Sequence, residues 1–267
     1  MLSFKYLVTQ KLATKNLANE EGNSSNIDFY KWRLNIIENF QNIVGQGEFP
    51  CVFARKANKQ QSCYFLFSNI SESSEENIQI LIDGLTEYTD FCKKIPVRER
   101  FLKPLVVFFK TPSFYSLEKY HLYGWKILQL LHARDPHHWP DSIPTSPNES
   151  DWSFCFNDTQ LFINMSSPKH VHWKSRNIGN CLAFVINPRE NFDIVAPIHT
   201  KSGKKMREMI RERVKKYNGL EVFPEVLGFF GEKGNLEWRQ YQLEEEHGLY
   251  PTQCPLRVMA KKGEKND

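Results

Sequence analysis

Apolar residues recur along the chain with two different periods, and the switching between them predicts its elements. From Asp28 to Val44 the positions Phe29, Trp32, Leu34, Ile36, Ile37, Phe40 and Val44 recur at spacings of three and four often enough for an amphipathic helix, with Gly45 and Gly47 as stops. Cys51 to Ala54 reads as a short apolar strand after Pro50, and Ser62 to Phe67 as its partner across the polar loop Asn58 to Gln61. Glu75 to Lys94 returns to helical spacing through Ile78, Leu81, Ile82, Leu85, Tyr88 and Phe91. Pro104 to Phe109 is continuously apolar, the pattern of a fully buried strand. Leu117 to Arg134 is again helical, and the Pro-rich stretch Asp135 to Pro147 is a long loop that Trp139 favours as ordered.

The C-terminal half continues in shorter pieces. Trp152 to Phe156 and Gln160 to Met165 flank Asn157-Asp-Thr159 as the arms of a hairpin would. Cys181 to Asn187 reads as a strand, Ser202 to Tyr217 as a helix stopped at Asn218-Gly219, and Leu236 to Leu243 as a last edge strand. Paired strands mixed with helices, without strict βαβ alternation, predict a single α+β domain whose mixed, mostly antiparallel sheet is flanked by helices. Polar residues Glu20 to Asn26 set residues 1–26 apart as a flexible lead-in. The domain then spans 27–258, followed by a polar tail at 259–267.

Composition narrows the classes. The 267 residues are 40% apolar and 13% aromatic with a formal charge of +4, which suits a globular chain and argues against nucleic acid as a partner. Apolar runs such as Leu105 to Phe109 and Cys181 to Ile186 fall far short of the roughly 20 residues of a membrane span. The N-terminus alternates lysine with apolar residues instead of forming a secretory core, so a cytoplasmic location is expected. Six cysteines without a CxxC pair read as reduced thiols. Lys201 to Lys216 carries mixed charges at helical spacing, the pattern of a solvated helix face. Phosphate-binding glycine loops, GxSxG and HExxH are all missing from the sequence.

Three clusters combine reactive side chains with turn formers. In Gly47-Glu-Phe-Pro-Cys51, the proline ring fixes the backbone ahead of a thiol that is either a nucleophile or metal ligand, or a small buried hydrophobe. In Ser166 to Gly179, His170 and His172 are followed by Lys174 and Arg176. With Lys169 these cations suit an anion-binding loop as well as a solvated one, whereas the spacing does not suit zinc. In Asn187-Pro-Arg189-Glu-Asn-Phe-Asp193, Arg189 and Asp193 either form a structural ion pair or hold a zwitterionic ligand.

Taken in order, Phe49-Pro-Cys-Val-Phe-Ala54, Asp151 to Phe156, Ser167-Pro-Lys-His170, Ser175 to Gly179, Asn187 to Asp193 and Trp238 to Leu243 resemble the YqcI/YcgG family. The resemblance implies a heme-dependent N-hydroxylase of the guanitoxin-biosynthesis type, a monooxygenase acting on a small guanidino or amino compound such as arginine. It implies heme b as cofactor, with Cys51 as axial iron ligand and His170 as rival. Lys174, Arg176 and Arg189 would then meet heme propionates or a substrate carboxylate, and Glu48 and Asp193 would meet the guanidinium. Trp152, Phe154 and Trp173 would shield the oxidant or stack on the substrate. Because the sequence shows no flavin or ferredoxin module, an external electron donor or peroxide is expected, and a homodimer is admitted. The alternatives are a non-catalytic heme or small-molecule binding protein, and a cysteine hydrolase built on Cys51 and His170.

Overall fold

A computed structural model describes residues 4–16, 27–69, 75–221, 223–245, 248 and 250–259. Its centre is set by strands β2 (Tyr64–Ser68), β3 (Leu105–Phe109) and β6 (Leu182–Pro188), in which apolar side chains point to both sides. Strand β1 (Val8–Thr9) and the hairpin β4 (Phe154–Phe156) and β5 (Thr159–Ser166) complete six strands in the order β1-β2-β3-β6-β5-β4. Only β2 and β3 run parallel, through the crossover helix α4 (Glu75–Lys94), and the other neighbouring pairs are antiparallel. The α+β expectation holds.

Strand alternation sorts the core into two layers. Leu66, Leu105, Val107, Phe109, Ile163 and Phe184 face α4 and α6 (Leu117–Ala133). Phe65, Phe67, Val106, Phe108 and Ala183 face the opposite way, against α2 (Ile27–Gly45). There the Phe40 ring meets Phe65 at 5.5 Å and Phe108 at 5.8 Å. Both faces are covered, which is why β3 shows no polar alternation. The hairpin turn needs left-handed backbone at Asn157 (φ 49) and Asp158 (φ 56), residue types that tolerate it. Asn157 also donates to Thr89 Oγ1 at 2.7 Å and Asp90 Oδ1 at 2.9 Å, fastening the hairpin tip to α4.

Three expectations are corrected. Cys51 to Ala54 is not a strand: Cys51 caps helix α3 (Val52–Lys59), and β2 pairs with β1 and β3 instead. Leu236 to Leu243 is not an edge strand, because Glu237–Tyr241 forms the short helix α9, with Trp238 and Tyr241 fully buried. The 1–26 lead-in is not uniformly loose: residues 4–16 carry β1 and α1 (Gln10–Asn16), and backbone N–H groups of Lys5, Tyr6 and Leu7 donate to the Glu87 carboxylate. Residues 17–26 of that lead-in and 260–267 of the tail lie outside the described residues. After α4 the chain makes one turn, α5 (Val97–Arg100), and after β6 another, α7 (Asn191–Val195), before the long α8 (Lys201–Asn218). No helix among the described residues is long and apolar enough to cross a membrane.

Helix α4 lies so close to the sheet that a Cβ on Gly84 would stand 2.7 Å from Leu66 Cδ1. Helix propensity alone would make Gly84→Ala stabilising by up to about 1 kcal/mol. Overpacking outweighs this, so the variant is expected to be about 1–3 kcal/mol less stable in urea unfolding. A stabilised variant would show that α4 shifts freely on the sheet.

Candidate active site

Helices α2 and α3 cover the β2 and β3 half of the second sheet face, and the β5 and β6 half is left to other elements. On β5, Leu161, Ile163 and Met165 point into the first core, so Phe162, Asn164 and Ser166 must point the other way. With Val106, Val185 and Asn187 they floor a cavity of about 360 Å³. Its walls are overwhelmingly apolar.

Cys51 sits on the α3 side of this cavity. As the N-cap, its Sγ accepts the Ala54 N–H at 3.4 Å. Burial pushes the thiol up from its ordinary pKa, while the Ala54 and Phe53 N–H groups and the Arg213 charge oppose that shift. Arg213 reaches across from α8 to donate to Pro50 O at 3.1 Å, Gly47 O at 3.0 Å and Phe49 O at 2.9 Å. One guanidinium thus fixes the loop that presents Cys51.

Helix α8 forms the facing wall with Arg207, Ile210, Arg211 and Val214. The expected solvated face is there, with Lys201, Lys204, Lys205 and Lys216 exposed, and another stripe of the helix looks into the cavity. Arg207 Nε donates to Ala196 O at 2.6 Å and Arg211 to Leu227 O at 3.1 Å, and both guanidiniums flank the Phe229 ring. Burial lowers the Arg207 pKa, helped by the like charges of Arg189 and Arg211. Arg176, from the turn Lys174–Arg176, adds a third cation. It donates to Gln240 O at 2.8 Å and Tyr241 O at 3.2 Å, and burial lowers its pKa to about 10. Buried Asn191 also lines the cavity; its Oδ1 accepts from Arg100 at 2.7 Å, and its Nδ2 has no hydrogen-bond partner among the described residues. No carboxylate among the described residues lines the cavity.

The other expected site residues fall elsewhere. Glu48 and Asp193 are exposed and do not line the cavity, and neither does the exposed Lys174. Arg189 is 2.9 Å from Glu237 Oε2 and lies over the Phe230 and Phe192 rings, which makes it a structural partner of Glu237 rather than of Asp193. His170 is buried outside the cavity lining, with Nδ1 2.9 Å from Glu245 Oε1 and its ring 5.7 Å from that of His121. Its Nε2 has no partner among the described residues, and burial holds the imidazole below its ordinary pKa. Trp152 and Phe154 belong to the first core, and Trp173 donates to Glu244 O. Sequence reading missed Arg207 and Arg211, although their spacing with Ile210 and Val214 traces one helical stripe.

Glu237 is buried beside Ser153, Tyr241 and Arg189, and burial raises its carboxyl to about 7 from 4.5. An acid whose folded pKa is raised binds extra protons in the native state, so its contribution falls as pH rises from 4.5 to 7. The loss is on the order of 3 kcal/mol. Urea unfolding across that range is expected to show a flatter pH slope for Glu237→Gln than for the wild type; equal slopes would mean that Arg189 cancels the desolvation.

Comparison with known proteins agrees with this architecture of motifs. A Streptomyces lavendulae protein named "Putative N(omega)-hydroxy-L-arginine synthase DcsA" is 39% identical over 231 residues, covering 86% of this chain and 85% of the relative. Bacillus subtilis (strain 168) YqcI is 30% identical over 234 residues, 85% of this chain and 89% of its own. YcgG of the same organism is 31% identical over 215 residues, 79% and 81% respectively. No solved structure matches the chain. The model of the YqcI/YcgG family matches residues 40–257, and the chain belongs to that family.

Proposed function

We propose that this protein N-hydroxylates a small guanidino or amino compound, arginine first among them, with heme b bound in the cavity. The observation that carries the reading is the cavity itself: an apolar chamber with a helix-capping thiol on one wall and three guanidiniums around it, Arg176 buried and Arg207 and Arg211 half-buried. The name of the Streptomyces lavendulae relative supplies the reaction class.

The residues present fit heme. A flat macrocycle needs apolar walls such as Phe53, Val106, Val185 and Val214, and its propionates need cations, which Arg207, Arg211 and Arg176 offer. Cys51 is placed to be the ligand: burial disfavours its free thiolate, but the Ala54 N–H at its sulfur, the positive end of α3 and the Arg213 charge oppose that effect. When bound, a thiolate-ligated heme supplies oxygen activation strong enough for a weakly reactive nitrogen. In the balance, one oxygen atom of dioxygen enters the N–H bond and the other leaves as water. An external reductase supplies two electrons, or peroxide replaces dioxygen and electrons together.

The chain's own residues do the rest. Arg213 holds the Cys51 loop, and Phe223 and Phe229 help exclude water. Asn191 Nδ2 and whichever guanidinium is free of propionate are donors for a substrate carboxylate. Glu48 is exposed and so unsuited to meet the guanidinium; the amides of Asn164 and Asn187 are the side chains at the cavity floor able to accept from it.

Heme-supplemented protein is expected to show a Soret band, with a ferrous-CO maximum at the red-shifted position of thiolate hemes. Cys51→Ala should abolish that position while leaving the fold intact. An imidazole-type spectrum lost instead in His170→Ala would move the ligand to the His170–Glu245 pair. Mass spectrometry of arginine incubated with a surrogate reductase or peroxide should show the gain of one oxygen; its absence across a guanidino and amine panel would leave a binding protein.

Each charge-assisted hydrogen bond to a propionate is worth about 1.5–3 kcal/mol. Arg207→Ala with Arg211→Ala is therefore expected to weaken heme retention by roughly tenfold or more, read as the rate of heme loss to apomyoglobin. Unchanged retention would return both residues to a purely structural role.

A further inference from the structure

Beside the cavity runs a series of oxidisable rings that the proposed reaction does not use. Phe162 lines the cavity, and its ring centroid is 5.6 Å from that of Tyr241. Tyr241 lies 6.3 Å from Trp152, which stacks on Trp139 at 6.0 Å and an interplanar angle of 22°. Tyr241 and Trp152 are fully buried, whereas Trp139, in the 135–147 loop, is only partly so. The series therefore leads from the cavity wall towards solvent. Trp125 stacks on Tyr241 at 6.0 Å but is buried, with the equally buried Trp238 beyond it, so that branch is closed.

Packing alone does not require what surrounds Tyr241. Its hydroxyl is 3.1 Å from Glu237 Oε1, a carboxylate that is 1% exposed and held by Ser153 and Arg189. The hydroxyl also accepts the Phe154 N–H at 2.9 Å and lies 3.1 Å from Leu161 O, contacts that serve the β4 and β5 hairpin, but neither calls for an acid, and burying one beside them is costly. A phenol beside a buried base has a specific chemical property: it loses an electron readily because its proton has somewhere to go. Electron transfer between rings in near contact is fast compared with turnover, and each ring in this series is within reach of the next.

We propose that Tyr241, Trp152 and Trp139 form a relay that carries an unused oxidising equivalent out of the cavity when no substrate consumes it. The relay rests on the proposed oxygenase function. A one-electron oxidant in the cavity takes an electron from Tyr241, and the phenol proton moves to Glu237. Trp152 reduces the tyrosyl radical, which recovers its proton from Glu237. Trp139 refills Trp152, and a soluble one-electron reductant such as a thiol or ascorbate refills Trp139. The net change is one electron from reductant to oxidant, with no proton left behind in the protein. Nε1 of Trp152, buried and without a hydrogen-bond partner among the described residues, suits a transient stop that keeps its own proton.

The test is freeze-quench electron paramagnetic resonance on the heme-loaded full chain, mixed with hydrogen peroxide without substrate. The wild type is expected to give a tyrosyl or tryptophanyl signal whose tyrosyl part narrows on ring deuteration of tyrosine and disappears in Tyr241→Phe. Trp139→Phe should lengthen the radical lifetime severalfold and bleach the Soret band after fewer peroxide additions. Peptide mass spectrometry should find oxidation concentrated at Trp139 in the wild type. Should Tyr241→Phe not fold, Trp139→Phe at its partly exposed site carries the test. Heme-loaded protein with no protein radical, or one unchanged by both variants, overturns the relay alone; a chain that takes up no heme overturns the proposed function and the relay with it.

Discussion

Strand β3 pairs with β2 on one side and β6 on the other, and its five apolar residues must be kept from water on both faces of the sheet. On the first face α4 and α6 do this closely, with Gly84 and Gly124 letting each helix backbone approach the strands. On the second face α2 and α3 reach only part of the way. The uncovered part, floored by alternate residues of β5 and β6, is roofed by α8 and the segment around Phe229, and the cavity is the space between. Site and core are thus two consequences of one requirement for cover.

Charges inside this arrangement are few, and each is tied to backbone or to a partner. Arg213 ties α8 to three carbonyls of the Cys51 loop, and the Tyr217 ring of α8 meets Phe49 at 5.7 Å, so the two walls of the cavity are fastened to each other. Arg176, Arg207 and Arg211 each donate to backbone carbonyls, which orients them while leaving their positive charge uncompensated by those bonds. Anionic groups on a flat apolar ligand would meet that charge, and this electrostatic demand is the main physical link between the cavity and the heme reading. Arg189 differs, since Glu237 satisfies it within the protein.

His170 and Cys51, the two candidate iron ligands of the proposed function, are held in different ways. His170 is oriented by Glu245 through Nδ1, the kind of support that raises the basicity of a ligating imidazole, but it stands outside the cavity lining. Cys51 borders the large space and takes its hydrogen bonds from the α3 backbone. Proximity to a volume large enough to matter favours the thiol.

The sequence by itself determined the α+β class, the helices 28–44, 75–94, 117–134 and 202–217 to within a few residues, the hairpin at Asn157-Asp158, and, through six ordered motifs, the family. Those features depend on neighbours close along the chain, where periodicity and turn chemistry act. It misread Cys51 to Ala54 as a strand because four apolar residues after a proline carry no period long enough to distinguish a helix from a strand. Leu236 to Leu243 failed because Leu236 and Trp238 alternate with Glu237 and Arg239 as in a strand, and that the polar Glu237 and Gln240 are buried against partners is decided only by the fold. The cavity was legible only in part: of the residues singled out in the sequence Cys51 and Arg176 line it, whereas Glu48, Asp193 and Lys174 are exposed outside it, and Arg207 and Arg211, which line it, were passed over. Nearness along the chain fixes which residues share an element, but the side of a helix that meets a cavity is decided by what lies across it. That partner, here a sheet face built from β5 and β6, is distant along the chain and present only in the folded molecule.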